Sequence, residues 1–131
     1  MPSYLLDTTV LIDHARGHTD GVKMVERLFS ETGQLYTCDV ITAEALSDGG
    51  DAERTVIGRL LDALEYVATD PEGARWAGDR RRALRSAGRR GPLADALIAA
   101  TAWRMGATVV TRNPDDYERL GVPVLAYGAG D

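Results

Sequence analysis

The chain has 131 residues, enough to bury about two-thirds of its extended surface in one core and too few for two ordinary domains. Hydrophobic residues make up 44% and charged residues 27%, which excludes a disordered or collagen-like chain, and no apolar run approaches the length of a membrane span. The single Cys38 excludes an internal disulfide framework and a zinc cluster built on several cysteines.

The opening MPSYLLDTT has no basic stretch followed by an apolar one, so a cytoplasmic location is the expectation. The net charge of −5 argues at first against a nucleic-acid partner. It hides a segregation, however. Lys23 is the sole lysine, the other basic residues are arginines, and seven of them lie between Arg75 and Arg90 beside one acid, Asp79. That stretch carries +6 and the remainder −11, so the charge has to be read piece by piece.

In chain order, Tyr4 to Leu6 reads as a buried strand ending at Asp7, after which Thr8 or Thr9 caps a helix that runs to about Arg16 and stops at Gly17. Residues 20–31 place Val22, Val25, Leu28 and Phe29 at helical spacing. LYTC (35–38) is a second strand, and a helix from Asp39 carries Ile41, Ala45 and Leu46 with Glu44 inside it. After the loop 47–50 comes a helix over 52–64, then a brief strand YVAT (66–69). Asp70-Pro71 opens an arginine-rich helix to about Ala87, Gly88 to Pro92 is a break, and Leu93 to Met105 is an alanine-rich helix stopped by Gly106. TVVT (108–111) is a strand, 114–120 a short helix, VPVLAY (122–127) a last strand, and 128–131 a mobile tail. Strands that alternate with helices predict one α/β domain over 1–131: a three-layer sandwich with a mainly parallel sheet. Ligands of such sheets gather at the carboxyl ends of the strands.

Acids fall at those ends. Asp7 follows the first strand, Glu44 lies in the helix after the second, Asp95 is in the first turn of the alanine-rich helix, and Asn113, Asp115 and Asp116 follow TVVT. If the sheet brings these ends together, the acids share a pocket in which like charges repel unless protonated or met by a cation. Mg²⁺ or Mn²⁺ suits such oxygen ligands, and carboxylates holding these ions are the usual equipment for phosphodiester hydrolysis. Each acid alone also has a structural reading: Asp7 as a helix cap, Glu44 as a solvated helix residue, Asp95 as a complement to a helix N-terminus.

The segments YLLDTTVLID (4–13), ITAEAL (41–46), LADALIAATAW (93–103) and VVTRNPDDY (109–117) resemble, in order, the four signature blocks of PIN-domain ribonucleases, and most of all the VapC-type toxins of bacterial toxin–antitoxin pairs. The resemblance spans essentially the whole chain. It implies a PIN-like fold and metal-dependent endonucleolytic cleavage of RNA, with Asp7, Glu44, Asp95 and Asp116 as the acids that hold Mg²⁺ or Mn²⁺. It also implies that Thr9, Thr111 and Asn113 support the site, that a cognate antitoxin protein blocks it, and that the chain forms a homodimer. Asp115 adds an adjacent acid, and the motif register favours Asp116 as the one facing the metal.

The arginine-rich stretch offers Arg75, Arg81, Arg82, Arg85 and Arg89 for contact with RNA phosphates, against the plainer reading of a solvated helix face. His14 and His18 are four apart, but Gly17 ends the helix between them and the glutamate of an HExxH motif is absent. Asp13 reads as structural, Cys38 as a small buried residue, and Trp76 and Trp103 as core or partner packing, with base stacking open to Trp76. Two other functions compete. A haloacid-dehalogenase-type phosphatase needs a second Asp where Thr9 stands and a downstream Lys, whereas a non-cleaving PIN-like module that binds RNA or a partner fits the same motifs.

Overall fold

The computed structural model describes residues 2–31 and 33–128. The expected tail at 128–131 therefore lies outside the described residues except for Gly128. Five strands, β1 (Ser3–Leu6), β2 (Gln34–Cys38), β3 (Glu65–Val67), β4 (Thr108–Thr111) and β5 (Val124–Ala126), form one sheet in the order β3-β2-β1-β4-β5, and every pairing is parallel. Seven helices flank it among the described residues: α1 (Thr8–Ala15), α2 (Thr19–Ser30), α3 (Asp39–Ala45), α4 (Asp51–Asp62), α5 (Pro71–Ser86), α6 (Leu93–Met105) and α7 (Asp115–Glu118). The expected α/β architecture is the one observed.

Parallel strands need crossovers and bury both faces, which explains why Leu5, Leu6, Val109 and Val110 at the centre of the sheet are fully buried. The three-residue outer strands β3 and β5 limit the exposed edges. Helix α6 packs against β1 and β4. Its Ala96, Ala99, Ala100 and Ala102 are sealed from solvent, and such small side chains let a helix lie close to its neighbours. It ends at Gly106, whose φ of +62° is the left-handed cap that a glycine adopts without strain.

Several boundaries differ from the sequence reading. The cap of α1 is Asp7, not Thr8 or Thr9: its carboxylate accepts from the Val10 amide at 3.3 Å. Strands β3 and β5 end short of the runs 66–69 and 122–127, because only the segments in register with a neighbour pair, and α7 is shorter than 114–120. On α2 the inward face is Gly21, Met24, Val25 and Leu28, while Phe29 is exposed. Gly21 accounts for this: a Cβ there would lie 2.6 Å from the Asp13 Cβ. Helix α1 therefore rests on the glycine, which turns Phe29 outward.

Candidate active site

The sheet order reverses between β1 and β4, the place where open α/β sheets bind ligands. Asp7 stands at that point, with its backbone N–H donating to the Val110 carbonyl at 3.1 Å. It is buried, and one carboxylate oxygen accepts from the Thr9 hydroxyl at 2.6 Å and from the Val10 amide. Burial raises its pKa above the usual carboxylate value, opposed by hydrogen bonds from the Thr9 and Thr111 hydroxyls and nearby amides. Capping a helix and standing at the switch point are thus one placement.

Asp95 is half-buried in the first turn of α6, and its pKa is pushed up to about 6. Desolvation is the largest cause, followed by the charges of Asp116, Glu44 and Asp7, while Arg119 opposes the shift. The Tyr117 phenol is also raised, by burial first and then by Asp7, Asp95 and Glu44. Two probes on different helices therefore feel the charges of the same acids, which are carried by the residue after β1 and by α3, α6 and α7. Asp116, rather than the exposed Asp115, is the member of the pair that acts on Asp95.

Each remaining acid has a partner of its own. Glu44 is exposed on α3 and accepts from the Thr8 hydroxyl at 2.9 Å. Asp116 accepts from Arg119 Nη2 at 3.2 Å. Among the described residues no three His, Cys, Asp or Glu side chains stand close enough together to hold an ion as they are. The side chains turned toward Thr8, Thr9 and Arg119 account for that spread. The donor set nevertheless fits a hard divalent cation: it is all oxygen, it carries several like charges, and burial first and the neighbouring acids second raise the pKa of Asp95 within it.

The supporting residues form the floor. The Thr9 hydroxyl also accepts from the Arg112 amide at 3.2 Å, which ties α1 to the end of β4. Thr111 is fully buried and its hydroxyl accepts from the Asn113 amide at 2.9 Å. The Asn113 carbonyl in turn accepts from the Asp116 amide at 3.2 Å. Below them, buried Asp13 accepts from Tyr127 Oη at 2.8 Å and Arg112 Nη1 at 3.1 Å. Arg112 and Arg119 were not singled out from the sequence, and Thr8 only as a helix cap. For Arg119 a signal existed, its spacing of three from Asp116 on a short helix.

The arginines separate into groups. Arg81, Arg85, Arg89, Arg90, Gly91 and Pro92 line a groove of about 240 Å³, and Arg89 also borders a second hollow with Asp115, Glu118 and Arg119. Arg81 is partly structural, since its Nε donates to the Gly91 carbonyl at 2.8 Å. Arg75 and Arg82 are exposed and do not line the groove, whereas Arg90, absent from the sequence selection, does. Arg80 sits 5.0 Å over the Trp76 ring, which stacks on Trp103 at 5.4 Å, so Trp76 is already occupied on the α5–α6 surface. His14 lies in α1 and His18 caps α2, on separate helices. Cys38 is buried and burial pushes its thiol pKa up, the opposite of a reactive thiol. Lys23 is exposed on α2.

Comparison with known proteins identifies the family. Residues 4–122 match the PIN domain, and the chain belongs to that family. It is 33% identical over 116 residues to ribonuclease VapC11 of Mycobacterium tuberculosis, covering 85% of this chain and 87% of the relative. It is 28% identical over 109 residues to ribonuclease VapC19 of the same species, covering 83% and 87%. Its fold matches the structure of VapBC2 from Rickettsia felis bound to a DNA fragment from their promoter, with a TM-score of 0.81, 20% identity and coverage of 95% and 98%.

Proposed function

We propose that the protein is an endoribonuclease that hydrolyses RNA phosphodiester bonds with the help of Mg²⁺ or Mn²⁺ held by Asp7, Glu44, Asp95 and Asp116. The observation that carries the reading is that Asp7 stands at the β1/β4 switch point and that the charges of Asp7, Glu44 and Asp116 all reach Asp95. When bound, the cation would offset phosphate charge and activate a water for attack on phosphorus. The chain's own residues do the rest. Thr9 and Thr111 fix the buried Asp7, and Asn113 fixes the turn that carries Asp116. The groove of Arg85, Arg89 and Arg90 offers guanidinium forks to the phosphates of an RNA strand.

The kinship with the VapC ribonucleases supports a role as the toxin of a toxin–antitoxin pair, restrained by a cognate antitoxin protein, with the chain as a homodimer. No helix among the described residues is long and apolar enough to cross a membrane, and we assign the activity to the cytoplasm, where RNA is met. A non-cleaving module that binds RNA is the second reading. It draws on the carboxylates being engaged by Thr8, Thr9 and Arg119 rather than gathered.

A cleavage assay separates them. The purified protein is expected to cut RNA on addition of Mg²⁺ or Mn²⁺, to stop with EDTA, and to lose activity by about 100-fold or more in Asp95→Asn. RNA binding without cleavage at any cation concentration would leave the binding module standing. Cleavage that continues undiminished in Asp95→Asn with chelator present would overturn the metal reading.

A further inference from the structure

Arg119 is the one basic side chain, among the described residues, that forms an ion pair with any of the four acids. Three of its nitrogens are engaged at once. Nε donates to the Asp115 carbonyl at 2.9 Å, Nη1 to the Arg90 carbonyl at 3.1 Å, and Nη2 to Asp116 Oδ1 at 3.2 Å. The first bond anchors the stem to α7 and the second holds the loop that carries Arg89 and Arg90. The third puts a full positive charge on an acid of the cluster. The side chain is 22% exposed, so it is held in the surface rather than waving above it.

We propose that Arg119 is a built-in counter-ion of the acid cluster, which occupies part of the place of a divalent cation at Asp116 and thereby lowers the affinity with which that cation is held. The inference rests on the cation site proposed above. A guanidinium on Asp116 reduces the negative charge that a cation meets, and it takes one carboxylate oxygen that a cation would otherwise find free. It also keeps the repelling acids folded together when no cation is bound. Arg119 is in this sense a positioning residue: it touches an acid and a loop, and its effect on catalysis runs through both.

The test is direct titration of Mn²⁺ into the full chain, read by electron paramagnetic resonance, for the wild type, Arg119→Gln, Arg119→Met and Arg119→Lys, with circular dichroism to check folding. The two neutral variants are expected to bind Mn²⁺ about three- to tenfold more tightly, the effect of removing a unit charge roughly 5–6 Å from a divalent ion at a solvated site screened by about 0.1–0.15 M salt. Arg119→Lys, which keeps the charge, is expected to stay near the wild type. A merely structural arginine would weaken binding when lost. Unchanged or weaker affinity in whichever neutral variants fold, or an equal change in Arg119→Lys, would overturn the counter-ion role while leaving the cation site intact. Absence of Mn²⁺ binding by the wild type would overturn both.

Discussion

Asp95→Asn should make the cation-free protein more stable at neutral pH even though it disables the site. Burial and the neighbouring acids push the Asp95 pKa up to about 6 in the folded protein, from an ordinary value of 3.8. Between those values the folded state holds more protons than the unfolded one, so stability falls as pH rises from about 4 to about 7 and levels off above. The shift amounts to at most about 3 kcal/mol, and solvent reaching the half-buried carboxylate reduces it to about 1–2 kcal/mol. Asparagine removes that penalty but gives up a negative charge in the first turn of α6, about 0.3–1 kcal/mol. The net gain at about pH 7.5 is therefore roughly 0.5–1.5 kcal/mol, or a Tm higher by about 2–6 °C for a chain of this size. Near pH 4.5 wild-type Asp95 is mostly neutral, so the gain at about that pH should shrink toward zero. Thermal melts in EDTA across this range, followed by circular dichroism, provide the assay. Adding Mg²⁺ should raise the wild-type Tm and do much less for the variant, because a ligand stabilises only the state that binds it. An Asp95→Asn protein that melts below the wild type at every pH in EDTA would refute the raised pKa that burial first and the neighbouring acids second impose on Asp95.

Other perturbations test separate parts of the account. Replacing Arg85, Arg89 and Arg90 together with Ala should weaken RNA binding and reduce its salt slope by up to about 2, at about 0.7 per lost phosphate contact on a single strand; Arg75→Ala with Arg82→Ala should change the slope little, and filter binding over a salt series reads both. Tyr127→Phe leaves buried Asp13 without one of its two donors and should cost about 1–2 kcal/mol in urea unfolding, with cation affinity unchanged. Gly21→Ala places a methyl 2.6 Å from the Asp13 Cβ and should cost about 1–3 kcal/mol, measured the same way.

The alternation of strands and helices was legible because apolar runs and glycine or proline stops are local properties. The arginine-rich α5, its Asp70 cap and the Gly106 stop of α6 needed no tertiary information. The inward face of α2 was legible only in part: Val25 and Leu28 are buried as their spacing implies, whereas the approach of Gly21 to Asp13 on another helix is a tertiary contact and Phe29 is exposed. The same divide runs through the site. Asp7, Glu44, Asp95 and Asp116 stand out because charged residues are unexpected at strand ends and at the start of a buried helix. Thr8 and Arg119, the partners of Glu44 and Asp116, look like ordinary surface residues until the fold brings them within hydrogen-bond distance. Of Arg75, Arg81, Arg82, Arg85 and Arg89, the groove takes Arg81, Arg85 and Arg89 and is completed by Arg90 beyond the helix end, where helical spacing carries no direction.

The central claim is that the acids direct a water, rather than the RNA's own 2′-hydroxyl, onto the phosphorus. End-group analysis of the cleavage products is its most direct test. The account predicts 5′-phosphate and 3′-hydroxyl ends that form only with Mg²⁺ or Mn²⁺ present. Products ending in 2′,3′-cyclic phosphate, or formed equally well in EDTA, would contradict it.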